Sequence, residues 1–309
     1  MAICEMDDNF RQLLTIWGPD AEFQQSCQSL IDARQFTRSI ALGHYENFPV
    51  VSFFLPRHLR QPFYDIYAFC RWSDDLGDEL PCSEESLRHL KWWREEFERS
   101  LTGYARHPIT MALSETIQQF SLPAEPFYDL ISAFERDQIQ NRYETYTDLL
   151  SYCQLIANPV GRLLLYLTES ATPANLQLSD NVCTGLQLIN FWQDVSRDLE
   201  IDRIYLPLED QHHYGVTEVD LQKKVSTNNF QQLLAFEVNR AEQLLMSGKV
   251  LSRKIPRSIR LDIRLFTLGG LTICKKIRQI DYRVLEKRPK LSKWDAPALL
   301  AKAFTGKFK

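Results

Sequence analysis

Two short acidic runs hold the residues of this 309-residue chain best suited to do chemistry. The first is Arg71-Trp72-Ser73-Asp74-Asp75-Leu76-Gly77-Asp78-Glu79. The second is Asn190-Phe191-Trp192-Gln193-Asp194-Val195-Ser196-Arg197-Asp198. Asp74 and Asp78 stand four apart, as do Asp194 and Asp198, so on a helix each pair shares a face, one turn apart. Gln187, Asn190, Asp194 and Asp198 fall on one stripe. Like charges at that spacing cost an isolated helix a few tenths of a kcal/mol, and carboxylates among Phe63, Ile66, Tyr67 and Phe69 cost more if they are buried unpaired. One such pair alone is commonly a solvated surface. Two pairs, each set in an apolar helix and facing each other, make an oxygen-rich cleft of the kind a hard divalent cation and a phosphate require.

The elements that must position these groups are helices. Apolar spacing predicts helices over 24–42, from after Pro56 to about Glu79 with Pro62 in the first turn, and over 84–101, 109–120 and 125–141. Further helices are predicted over 145–157, from Pro159 with Asn158 as N-cap, and over 175–200, 228–248 and 257–287. Ile204-Tyr205-Leu206-Pro207 is a short extended exit from the second acidic helix. No period-2 run, repeat or Gly/Pro/Ser linker interrupts the chain, so the expectation is an all-α protein with one domain over 1–309, its core over about 35–290, and a basic tail over 291–309.

Composition narrows the function. With 36 Lys and Arg against 40 Asp and Glu, the net charge is −4, which argues against a nucleic-acid partner. Seven cysteines, an odd number without C-x-x-C spacing, argue against a disulfide framework and for a reducing cytoplasm. The first residues lack a signal-peptide pattern, and no apolar run approaches the roughly 20 residues that span a bilayer. From Lys275 onward cations dominate. This stretch is expected to be a solvated helix face and a frayed end, with attraction to an anionic membrane surface or ligand as the alternative.

Several motifs in order resemble the head-to-head isoprenoid synthases, the squalene, phytoene and dehydrosqualene synthases. They are His44-Tyr45-Glu46-Asn47-Phe48-Pro49, Ile66-Tyr67-Ala68-Phe69-Cys70-Arg71 running into Asp74, Asp75 and Asp78, then Tyr143-Glu144-Thr145, Tyr152-Cys153 and Pro159-Val160-Gly161. Gln187 to Asp198 and Arg203-Ile204-Tyr205-Leu206-Pro207 complete the series. The first and the Asn190 to Val195 motif are most similar to the bacterial hydroxysqualene synthase branch of hopanoid synthesis. The resemblance implies an isoprenoid synthase fold, a helical bundle around a central cavity. It implies that Asp74, Asp78, Asn190, Asp194 and Asp198 hold magnesium, three ions with diphosphate. It further implies that His44, Asn47, Arg71, Gln154, Gln187, Asn190 and Gln193 bind the diphosphate substrate, and that Tyr67 acts at the reacting carbons. Phe48, Phe191 and Trp192 are further aromatic faces for a carbocation, with core packing as the plainer role. Other squalene-pathway enzymes and a transient membrane contact are the expected partners.

Departures from the resemblance bear on the reaction. Gln193 stands where carotenoid-type relatives carry arginine, Glu46 where they carry lysine, and Gln154 where they carry tyrosine. Condensing two diphosphates favours those cations; ionising one presqualene diphosphate needs fewer, and polar Gln193, Gln154 and Glu46 can position a water. The expectation is therefore water capture to hydroxysqualene without NADPH, consistent with the lack of G-x-G-x-x-G. The alternatives are condensation of two prenyl diphosphates and a silent scaffold, which has no need for all four aspartates. Asp137 stands where relatives carry another acid, with a surface salt bridge as the equal alternative, and Arg283 and Arg288 are weaker candidates to reach the diphosphate from the final helix.

Overall fold

Prolines and threonine caps cut the chain into helices. The side chains of Thr145, Thr172 and Thr227 accept from the backbone N–H of Asp148, Asn175 and Phe230, satisfying otherwise orphaned donors at three helix starts. The computed structural model describes residues 8–21, 29–43, 55–306 and 308. Among these every regular element is helical, and the contacts divide the chain into two compact units, Met1–Ile139 and Gln140–Lys309.

The first unit holds α1 (Asp8–Trp17), α2 (Leu30–Gly43), α3 (Arg57–Asp78), α4 (Ser83–Leu101), α5 (Pro108–Phe120) and α6 (Glu125–Asp137). The acidic helix α3 packs against α2, α4, α5 and α6. Its Phe69 ring lies 5.2 Å from each of Trp93, Phe97 and Phe127. All four rings are buried, each burial contributing roughly 1.5–3 kcal/mol. Polar bonds fix the register. Buried Asp65 accepts from Thr37 Oγ1 at 2.6 Å, Thr116 Oγ1 at 2.7 Å and Gln61 Nε2 at 2.8 Å, tying α3 to α2 and α5. Pro62 lies one turn deeper than expected, because the helix begins at Arg57.

The second unit holds α7 (Tyr146–Ile156), α8 (Asn158–Leu167), α9 (Pro173–Asp198), a 3-10 turn (Leu199–Ile201), α10 (Leu208–Tyr214) and α11 (Glu218–Gln222). It continues with α12 (Asn228–Gly248), α13 (Leu251–Lys254), α14 (Arg257–Gln279) and α15 (Asp295–Thr305). The second acidic helix, α9, packs against α7, α8, α12 and α14. Its Gly185 permits the approach of α12: a Cβ there would lie 2.9 Å from Leu245 Cγ.

Four expectations are corrected. Asn158 is not an N-cap but a buried helical residue, whose Oδ1 accepts from Thr184 Oγ1 at 2.9 Å and joins α8 to α9. α6 stops at Asp137 because the following backbone pairs elsewhere: Ile204, Leu208 and Glu209 donate their N–H groups to the carbonyls of Asn141, Tyr143 and Glu144. α14 stops at Gln279, well short of 287, where Asp281 (φ 50°) and Tyr282 (φ 59°) turn left-handed. The tail is not frayed: α15 packs on α14, with Ala303 buried and Lys276 paired to Asp295 at 2.8 Å.

Candidate active site

On α3 the four-residue spacing brings Tyr67, Arg71, Asp74 and Asp78 onto one stripe, half-exposed along its length and exposed at Asp78. Arg71 pairs with buried Asp75 and lies 3.4 Å from Asp74. Burial, then the Asp78 carboxylate, push the Asp74 carboxyl up to about 7; Arg71 opposes this, while Asp75 and Asp137 add to it. The end of α6 therefore brings Asp137 close to this cluster, a role that local spacing on α3 could not reveal. Tyr67 is raised chiefly by burial, with Arg71 opposing.

On α9, Gln187, Asp194 and Asp198 are half-buried and Asn190 is exposed, all on the predicted stripe. Both oxygens of Asp194 are taken by Arg288, whose Nε–H and Nη2–H donate in a bidentate pair, the second at 2.9 Å. Burial, then Asp194, push Asp198 up to about 7, against the nearby cations Arg203, Arg288 and Arg197.

Arg288 reaches Asp194 because α14 ends early. The returning chain is tied at three points. Gln231 Nε2 donates to the Asp281 carbonyl at 2.7 Å, and Ser226 donates its N–H and hydroxyl to Glu286 at 2.9 and 2.6 Å. Gln193 Nε2 donates to the Pro289 carbonyl at 2.7 Å. The Gln193 amide N–H thus holds the segment that carries Arg288. Arg203 is placed by the extended exit. There Tyr205 stacks on Phe191 at 3.7 Å and 11°, and Tyr152 and Tyr143 continue the stack.

Phe191 and Trp192 are buried in that packing, so they take the core role. Gln154 on α7 is exposed. His44, Glu46, Asn47 and Phe48 lie outside the described residues.

Each acidic cluster, taken by itself, suits a hard cation. Its ligands are oxygens, and the crowding that raises Asp74 in one and Asp198 in the other is what a bound positive charge relieves. Among the described residues no three acidic, histidine or cysteine groups converge into a metal site of their own. An ion here needs further oxygen ligands, such as phosphate and water, to complete its shell.

The profile of the squalene/phytoene synthase family matches residues 42–295. The chain belongs to the squalene/phytoene synthase family. Members of this family act on prenyl diphosphates. The chain is 28% identical over 277 residues to a phytoene synthase of Arthrospira platensis, covering 85% of this chain and 89% of that one. It is 31% identical over 222 residues to a hydroxysqualene synthase of Sinorhizobium fredii, covering 71% and 74%. Among solved structures, squalene synthase HpnC from Alicyclobacillus acidocaldarius superposes with a TM-score of 0.79 at 41% identity, covering 82% of this chain and 95% of that one. The isoprenoid synthase fold expected from the motifs is the fold of this chain. No described helix of this chain is long and apolar enough to cross a membrane.

Proposed function

We propose that this enzyme ionises presqualene diphosphate, lets the carbon skeleton rearrange, and captures water to give hydroxysqualene and diphosphate. The observation that carries this reading is Gln193. Its amide is bonded to the Pro289 carbonyl, so position 193 adds no second cation to the one guanidinium, that of Arg288, which meets Asp194. A pocket serving one diphosphate needs fewer positive groups than one serving two. The similarity to a hydroxysqualene synthase supports the same reading.

In this reading Asp74, Asp78, Asn190, Asp194 and Asp198 hold magnesium, which supplies Lewis acidity toward the departing oxygens. Arg71 and Arg288 donate N–H groups to the diphosphate, and charge-assisted bonds to a developing anion are the strong ones. Arg288 exchanges its bonds to Asp194 for bonds to diphosphate. The C–O bond breaks with its electron pair leaving on diphosphate. The Tyr67 ring faces the cation that remains. Gln154 and Gln187 orient the water whose oxygen forms the new C–O bond, its proton leaving to diphosphate. No reduced nicotinamide takes part.

A second reading, condensation of two prenyl diphosphates, is favoured by the 85% coverage of this chain in the match to a phytoene synthase. Purified protein with magnesium separates the two. Presqualene diphosphate without NADPH is expected to yield the C30 alcohol, and farnesyl diphosphate alone nothing. Product from farnesyl diphosphate, or no alcohol from presqualene diphosphate, rejects the first reading.

A further inference from the structure

The C-terminal region carries a surface that the proposed chemistry does not use. α15 has two apolar sides. One packs inward on α14 through buried Ala303 and half-buried Leu299. On the other, Pro297, Leu300, Ala301 and Phe304 recur at helical spacing, all exposed, and Trp294 stands at the helix's N-cap position. Trp294 is 91% exposed, Phe304 67% and Leu300 36%. Single exposed apolar residues mean little, but a stripe containing an uncovered tryptophan and phenylalanine marks a contact surface.

Cations stand at both ends of α15. Arg264 Nη1 donates to the Ala303 carbonyl at 2.9 Å, at the C-terminal end of α15. Burial, then the neighbouring charges of Arg260 and Arg253, lower the pKa of Arg264, so three guanidiniums are grouped there. Among the described residues no carboxylate forms an ion pair with Arg253, Lys254, Arg257, Arg260 or Arg264. Asp295, the acid of α15, is already paired with Lys276, and Asp262 is buried. Lys293 and Lys302 are exposed.

Charge chooses the occupant. A second copy of this face would bring the same unpaired cations against these. A bilayer with anionic headgroups offers the opposite charge and an apolar layer at the depth where tryptophan favours the interface. We infer that this face docks the protein on an anionic lipid surface, with Trp294, Leu300 and Phe304 entering the interface while Arg253 and Lys293 meet the headgroups. Only the surface carries this inference; the reaction proposed above is not needed for it, and the test uses no substrate.

The test is co-sedimentation of the full chain with vesicles of phosphatidylcholine alone or with one quarter phosphatidylglycerol. Binding is expected to the anionic vesicles, to weaken with added salt, and to fall roughly fivefold for each exposed cation removed and by more for each one reversed. The double variant Trp294→Ser/Phe304→Ser is expected to lose about tenfold or more, with its circular dichroism unchanged. Should that variant fail to fold, Arg253→Glu/Lys293→Glu, at two exposed positions, decides the matter by the same readout. Equal binding to neutral and anionic vesicles overturns the inference, as does wild-type binding by the folded variants. A wild-type dimer that Trp294→Ser/Phe304→Ser converts to a monomer in sedimentation also overturns it, showing a surface for a second copy instead.

Discussion

Asp74 and Asp198 are each pushed up to about 7 by burial and by the aspartate one turn away. Groups held in that state are poised to gain from a cation. Replacing Asp74 or Asp198 by Asn should therefore lower kcat/KM by at least about a hundredfold, measured with presqualene diphosphate over a magnesium titration. Asp74→Asn should keep or raise the thermal midpoint, since it removes like-charge crowding; unchanged turnover would point to a scaffold. A different carboxyl answers to pH. Glu237, fully buried on α12, is pushed up to about 9 by burial first and then by Asp210, with Arg240 opposing. Arg240 is bonded to Asp210 at 2.6 Å and lies over the Tyr146 and Phe236 rings, 4.2 and 4.0 Å from their centres. The folded form thus holds a proton that the unfolded form has released. This contribution to stability is full below the ordinary glutamate range and is lost as pH rises toward about 9. The wild-type melting temperature should fall across that window relative to Glu237→Gln, measured by thermal denaturation at a series of pH values; parallel curves would refute the assignment.

The element that completes the α9 cluster is the return after α14. Two left-handed residues end the helix, Glu286 docks on Ser226, and Gln193 holds Pro289, so that Arg288 meets a carboxylate 94 residues earlier in the chain. Glu286→Gln weakens a charge-assisted pair of hydrogen bonds and should cost about 1–3 kcal/mol, read as a lower denaturant midpoint. Gln193→Leu should leave that midpoint nearly unchanged but loosen Arg288, raising KM for the diphosphate substrate more than it lowers kcat, with Gln193→Asn restoring part of the loss. If Gln193→Leu alters stability alone, Gln193 does not position Arg288. Close helix approach is a second device at this level. A Cβ at Gly161 would overlap Ser179 Oγ and Cys183 Sγ, so Gly161→Ala should cost about 1–3 kcal/mol through overpacking of α8 on α9.

Across the molecule, a net charge of −4 conceals an uneven distribution, because cations gather from α13 to α15. Raising ionic strength should therefore weaken vesicle binding while leaving turnover of detergent-dispersed substrate nearly constant, since exposed charges are screened and close, half-buried pairs such as Arg288 with Asp194 much less so. Helix type and the two acidic stripes were legible in the chain because both depend on local periodicity: 3.6 residues per turn sets Asp74 beside Asp78, and Asp194 beside Asp198, whatever else the protein does. Periodicity also ran past the true ends of α6 and α14. Helical pattern continues where the backbone has a better distant partner, as Asn141 has in Ile204. The partners of the acids, Arg288, Arg203 and Asp137, and the employment of Gln193 were decided by packing, since each depends on a contact between segments with no fixed spacing. The same holds for the surface of α15, whose apolar residues divide into a covered side and an open one only once α14 packs over Leu299 and Ala303.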